Sequence, residues 1–248
     1  MLSAACKMRC LATLIALAAI IAPLHAQSKD DADDDPTLII TADFNHDGIA
    51  DLAKVVFPEQ NDPGQAHLII LLGHPDGSFT QETSIAISGP APSTIIAADF
   101  NRDGTPDVML GDSSGTIFLF PGDGTGKLLP PKPIARFDSV VSIAVADFNR
   151  DGTPDIAVSD WRASAVTVLL GDAKGEFRRA WSFSLRMRGK SPHLSAADFN
   201  GDGVPDLAVV YDDDDGDTFD VMLGNGNGTF TPAPDLGYVR DPNAHCVT

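Results

Sequence analysis

Cysteine is almost missing from this chain. Of three cysteines in 248 residues, Cys6 and Cys10 fall within an expected leader, and only Cys246 comes after it. A mature chain with one cysteine forms no internal disulfide, whatever its compartment allows. Positive charge is also scarce: 17 Lys and Arg face 35 Asp and Glu, for a formal net charge of −18. That balance repels a phosphate backbone and argues against nucleic acid as a partner. His46, His67, His74, His193 and His245 show no zinc-site spacing. Beyond residue 26 no apolar run is long enough to serve as a transmembrane segment.

The N-terminus does carry an apolar run. Lys7 and Arg9 precede Leu11 to Ala22, and Ala26 closes a cleavage site, so residues 1–26 read as a secretory signal peptide. The expected location is therefore secreted or extracytoplasmic, in a periplasm or at a cell surface. Losing Lys7 and Arg9 makes the remaining chain two charges more negative than −18. Residues 27–35, which include Asp30, Asp31 and Asp33 to Asp35, read as a solvated acidic spacer.

What the chain has in plenty is one nonapeptide, present four times: Asp43 to Asp51, Asp99 to Asp107, Asp147 to Asp155 and Asp198 to Asp206. The pattern is Asp-Phe-Asn-x-Asp-Gly-x-Pro-Asp, with Ala50 replacing Pro in the first copy. Hard oxygen donors fall at positions 1, 3, 5 and 9, and a glycine stands at position 6, where the turn resists a side chain. That spacing wraps a chain around Ca²⁺, with the carbonyl of residue 7 as a further ligand. The candidate ligand sets are Asp43, Asn45, Asp47, Ile49 and Asp51; Asp99, Asn101, Asp103, Thr105 and Asp107; Asp147, Asn149, Asp151, Thr153 and Asp155; and Asp198, Asn200, Asp202, Val204 and Asp206. The expected cofactor is about four Ca²⁺, one per complete loop.

An EF-hand opens with the same spacing but needs an acid at position 12 and flanking helices. Position 12 here is Lys54, Leu110, Val158 and Val209. Short, mostly β-branched runs succeed each loop, so the loops join strand to strand.

A second signature recurs inside each step: Gly-x3-Gly-x-Phe/Leu, at Gly73 to Phe79, Gly122 to Leu128, Gly171 to Phe177 and Gly224 to Phe230. Such glycine-rich segments between apolar runs mark turns. The third unit then has strands at about 140–146, 155–160, 164–170 and 176–186. Four antiparallel strands recurring about every fifty residues read as a β-propeller blade, an all-β fold. The repeats run over about 36–87, 92–137, 139–187 and 192–235. Residues 236–248 resemble the first strand of a fifth blade. The expectation is an incomplete or open propeller, or a ring closed only by a second chain, with self-association through the C-terminal edge.

The paired signatures resemble the FG-GAP/VCBS repeat family, which includes the β-propeller of integrin α subunits and many secreted bacterial proteins. The resemblance covers about residues 36 to 233. It implies a Ca²⁺ loop between the first two strands of each blade and carries over the five loop positions in every repeat. Leu128 replaces the usual Phe, and four repeats stand where family propellers typically close with seven.

Two catalytic look-alikes dissolve on inspection. Gly111-Asp-Ser-Ser-Gly115 matches a nucleophile elbow but leads into the strand-like run Thr116 to Phe120 instead of a helix. Gly122 to Lys127 lacks the spacing of a phosphate loop. No acid–base pair stands out beyond the metal loops. The sequence thus points to a non-catalytic calcium-binding module for binding or adhesion, its partner an extracellular protein or glycan. The alternative is a carbohydrate-active enzyme or lectin, for which Trp161 and Trp181 could supply a stacking face.

Overall fold

A computed structural model describes residues 38–58, 64–185, 192–213 and 216–234. The leader, the acidic spacer, the tail strand and Cys246 lie outside these residues. The described residues form sixteen strands and no helix, so no helix is long and apolar enough to cross a membrane.

The strands fall into four sheets of four, each an antiparallel meander in chain order. The first blade is β1 (Ile39–Ala42), β2 (Asp51–Val56), β3 (Ala66–Gly73) and β4 (Phe79–Ile87). The second is β5 (Pro92–Ala98), β6 (Asp107–Asp112), β7 (Thr116–Phe120) and β8 (Lys132–Arg136). The third is β9 (Val140–Ala146), β10 (Asp155–Asp160), β11 (Ala165–Gly171) and β12 (Phe177–Ser184), within two residues of its expected strands. The fourth is β13 (His193–Ala197), β14 (Asp206–Asp213), β15 (Gly216–Gly224) and β16 (Phe230–Pro232).

Burial reflects how blades stack. β6 and β10 are buried along their full length, because neighbouring blades cover both of their faces. β2, in the first blade, alternates buried residues with half-buried or, at Val56, exposed ones, as a strand covered on one face does. The outer β4 is mostly exposed, and the prolines of β8 and β16 sit on fourth strands, where a missing N–H costs no ladder bond. The third and fourth strands of the first three blades share a register shift, at Ile70/Leu71, Ile117/Phe118 and Val168/Leu169.

The apolar cores lie between blades. Ile40, Phe44, Leu68 and Ile70 of the first blade pack on Ile95, Val108 and Phe120 of the second. Phe100, Met109 and Leu119 of the second pack on Ile143, Ile156 and Val158 of the third. Phe148, Val166, Val168 and Leu170 of the third pack on Leu207, Val209 and Met222 of the fourth. Each core is therefore a contract between two consecutive repeats, and no blade is stable by its own sheet alone.

Candidate metal loops

All four nonapeptides connect the first strand of a blade to the second, and they are built alike. The carboxylate at position 1 accepts the N–H of residue 5 at 3.0–3.2 Å and that of residue 6 at 2.8–3.0 Å. The asparagine at position 3 accepts the N–H of residue 5 and donates its amide to the carboxylate at position 5. The carboxylate at position 5 accepts the N–H of residue 7 at 2.8–2.9 Å. These bonds coil the loop before any ion is considered. For Asp198, the N–H of Gly203 holds the carboxyl below its ordinary value.

The turn needs two left-handed residues where the sequence reading saw one. Position 6 is the expected glycine, with φ between 81° and 89°. Position 4 is left-handed too, at His46, Arg102 and Arg150, with φ of 58° to 61°. A non-glycine residue there costs about 1–2 kcal/mol, and the fourth loop avoids it with Gly201. That glycine was the only hint in the sequence. The side chains at position 4 reach the next blade. His46 Nε2 lies 3.5 Å from Thr105 Oγ1 of the second blade, and Arg102 favours the charged form of Asp151 in the third.

Position 9 has a role the spacing concealed. Asp51, Asp107, Asp155 and Asp206 are 0 % exposed. One oxygen of each accepts an N–H from the loop: Phe44, Phe100, Asn149 or Phe199, at 2.8–3.1 Å. The other accepts the N–H of Gly73, Gly122, Gly171 or Gly224, at 2.7–2.9 Å. The same carboxylate therefore clasps the nonapeptide loop to the second signature. Burial pushes the carboxyls of Asp107 and Asp155 up to about 6, opposed by these N–H donors and reinforced by the loop carboxylates beside them.

The clasp also explains the first glycine of the second signature. A Cβ there would lie 2.2–2.4 Å from the carbonyl oxygen of loop position 8 (Ala50, Pro106, Pro154 or Pro205), so only glycine lets the two segments meet. The two signatures recur together because they touch.

As a donor set, positions 1, 3, 5 and the carbonyl of 7 suit a hard cation: every donor is oxygen and all lie within one turn. A carboxylate has about four lone-pair sites, so the N–H bonds of the loop leave capacity for an ion. Among the described residues no three His, Cys, Asp or Glu side chains are gathered into a ready metal cluster. The fit rests on the chemistry and position of the donors.

The look-alike motifs are turns. Asp112 accepts the N–H groups of Ser114 and Thr116, which closes the β6–β7 hairpin. Asp123 does the same for Thr125 and Lys127. Trp181 packs on Phe183 and Phe230 between the third and fourth blades, whereas Trp161 is 45 % exposed. Sequence reasoning missed a cleft of about 460 Å³ lined by Arg136, Asp138, Asp160, Thr167, Arg179 and Ser182 among others. Arg179 lies over the Phe137 ring there and donates to the Arg136 carbonyl.

With loops, clasps and meander in view, the family model described as FG-GAP-like repeat matches residues 43–110, 108–158, 157–209 and 198–248. The chain belongs to the FG-GAP-like repeat family. No curated protein matches it. Solved structures with a similar fold include a fructofuranosidase from Schwanniomyces occidentalis complexed with fructosyl-erythritol (TM-score 0.55, 11 % identity, 88 % of this chain and 49 % of that one). A Lactobacillus plantarum protein aligns with TM-score 0.52 at 15 % identity, over 74 % of this chain and 53 % of that one. BBS1N, in its complex with ARL6DN, aligns with TM-score 0.50 at 13 % identity, over 85 % of this chain and 57 % of that one. This FG-GAP-like chain thus spans about half the length of these structural neighbours, and at such identities the likeness is one of fold.

Proposed function

We propose that this FG-GAP-like chain is a secreted or extracytoplasmic module whose blades are stabilised by Ca²⁺ and whose task is to bind an extracellular protein or glycan without catalysis. The observation that carries the reading is the fourfold identity of the loops. Positions 1, 3 and 5 repeat in residue type and in hydrogen bonding, and the N–H of position 7 makes the same bond in each loop, between the same two strands of every blade. Repetition of this kind is expected when each blade has the same ligand to hold. In each loop the side chains at 1, 3 and 5 and the carbonyl of 7 would hold the ion, and position 9 would lend its spare lone pairs. The ion would supply charge neutralisation where the carboxylates of positions 1 and 5 share one turn. Extracellular modules bind Ca²⁺ at roughly 10⁻⁴ to 10⁻³ M, so the outside medium would set occupancy. The N-terminal leader supports that compartment.

Titration calorimetry with Ca²⁺, paired with melting curves in chelator, tests the metal; a melting temperature that ignores millimolar Ca²⁺ would sink it. The binding role is tested by a glycan array and by binding to extracellular protein extracts, each with and without chelator. The second reading, a lectin or carbohydrate-active enzyme, draws on the Arg136–Arg179 cleft and on exposed Trp161, the next residue in sequence after the cleft's Asp160. Both an enzyme and a protein complex occur among structures of this fold, so the fold does not choose between them. Glycan binding that disappears in Arg179→Ala but survives chelation would favour the second reading.

A further inference from the structure

We propose that the outward face of the fourth blade is one half of a head-to-tail interface, and that its occupant is the first blade of a second copy of this chain. The argument starts from the three interfaces inside the molecule, which share one construction. The loop phenylalanine at position 2 of each blade enters the core shared with the next. There it meets the last residue of that blade's second signature. Phe44 packs in the core that Leu128 borders, Phe100 meets Phe177 edge-on at 5.9 Å, and Phe148 meets Phe230 edge-on at 5.3 Å. Phe44, Phe100 and Phe148 are 2 %, 0 % and 1 % exposed.

Phe199 holds the same position in the fourth blade and is 50 % exposed. The rest of its face is uncovered with it. Ala197 and Phe219 are exposed, and Val221 and Leu223 half-buried, where their third-blade counterparts Ala146, Val166, Val168 and Leu170 are all buried. The fourth blade thus presents the apolar surface of an interior interface with no blade seated on it among the described residues.

The complementary half lies at the other end of the same molecule. Phe79 ends the second signature of the first blade, matching Phe177 and Phe230, and is 47 % exposed. Ile39, Leu52 and Leu71, on the face beside it, are half-buried, whereas their third-blade counterparts Ile143, Ile156 and Leu169 are 3 %, 0 % and 2 % exposed. Gly77 shows the same vacancy. A Cβ built on it meets nothing within 4 Å, while one on Gly126 or Gly228 would press on Leu72 or Leu170 of the preceding blade.

One chain therefore carries both a plug and a socket of a contact it already makes three times. Since Phe199 and Phe79 are both exposed, they do not meet within one chain. A second copy satisfies both halves at once: the fourth blade of each seats on the first blade of the other. The described blades of two copies number eight, within the four to eight over which propellers close, and a head-to-tail contact that closes leaves no free edge. Lys54 marks the socket as weaker than the interior ones, where Leu110, Val158 and Val209 stand at its position. Its stem can cover apolar surface while its ammonium reaches water, which makes the contact reversible. The proposal is independent of the metal reading.

Sedimentation equilibrium on the full chain across a concentration series tests it. The wild type is expected to be a dimer. Phe199→Asp and Phe79→Asp should each weaken it by at least about 30-fold, the scale of an interface hot spot, while matching the wild-type melting curve at dilutions where the wild type is itself dissociated. Lys54→Leu should tighten it. A mixture of the two Asp variants should associate more strongly than either variant alone, through the one contact it keeps intact, but less tightly than the wild type, which makes two. A wild type that stays monomeric overturns the proposal, whether its own residues 235–248, its own first blade or solvent covers the face. So does a dimer indifferent to both variants, or a variant mixture that associates no better than either variant alone.

Discussion

Phe148 and Phe199 stand at the same place in matching loops, yet one is 1 % exposed and the other 50 %. The difference lies in the neighbour each blade has on that side. Phe148 has the fourth blade's Phe230 beside it, and Phe199 has no blade seated on it among the described residues. A repeat motif in this architecture thus encodes half of an interface, and its energetic worth depends on whether the other half arrives. Interior and terminal blades should respond very differently to identical changes.

The largest expected contrast is between those two phenylalanines. Phe148→Ala should cost about 3–5 kcal/mol, as buried aromatic truncations do. Phe199→Ala, in dilute solution, should fall within about 0.5 kcal/mol of wild type. Urea denaturation of the two variants measures this directly, and equal losses would break the comparison.

Next in size is the clasp. Asp155→Ala removes the acceptor of the Asn149 and Gly171 N–H groups, one of them buried. Leaving such donors unsatisfied costs about 1–3 kcal/mol each, so a loss of roughly 2–4 kcal/mol is expected even in chelator. Asp206→Ala should cost less, because the corresponding bonds of the fourth blade are only partly buried. Asp151→Ala should instead lose most of its effect once Ca²⁺ is removed. A Ca²⁺-dependent penalty for Asp155→Ala, as large as that for Asp151→Ala, would reduce the clasp to a metal ligand.

Smaller again is the turn itself. Gly104→Val places a branched side chain at φ +89° where a Cβ meets nothing within 4 Å. Its cost, about 1–2 kcal/mol, is therefore one of backbone conformation, and it should persist at saturating Ca²⁺. A wild-type melting curve for this variant would mean that the loop tolerates a side chain at its tightest point.

A separate contrast is a pH dependence confined to the second and third blades. The carboxyls of Asp107 and Asp155 rise from 3.8 in the unfolded chain to about 6 when folded. The folded state then holds their protons more tightly, so their contribution is present below about pH 4 and is lost as pH rises through about 6. In chelator, the variant carrying Asp107→Asn and Asp155→Asn should have a flatter melting temperature between those limits than wild type. Parallel profiles would show that the clasp carboxyls do not titrate there.

How much of the molecule is legible in its sequence depends on the range of the interactions. The blade, its strand count and the loop donors could be read from residues one to nine apart, because local hydrogen bonds and strand alternation depend on near neighbours. The left-handed conformation at Arg102 and Arg150 was not legible, since only the glycine at 201 betrays it. Nor was the clasp: Asp51 and Gly73, or Asp107 and Gly122, are joined only when the second and third strands align. The Arg136–Arg179 cleft likewise needs two blades in contact.

By itself, the sequence determined an all-β chain of four like units, each with an acidic turn that places Asp, Asn and Asp on one coil. It did so because turns and strands are specified by side chains close along the chain. Only the tertiary structure decided which copies of a shared residue are core and which are surface. Four sequence-equivalent phenylalanines become three buried anchors and one exposed ring. Burial is a property of what packs against a side chain, and that is settled by the blade that comes next in space.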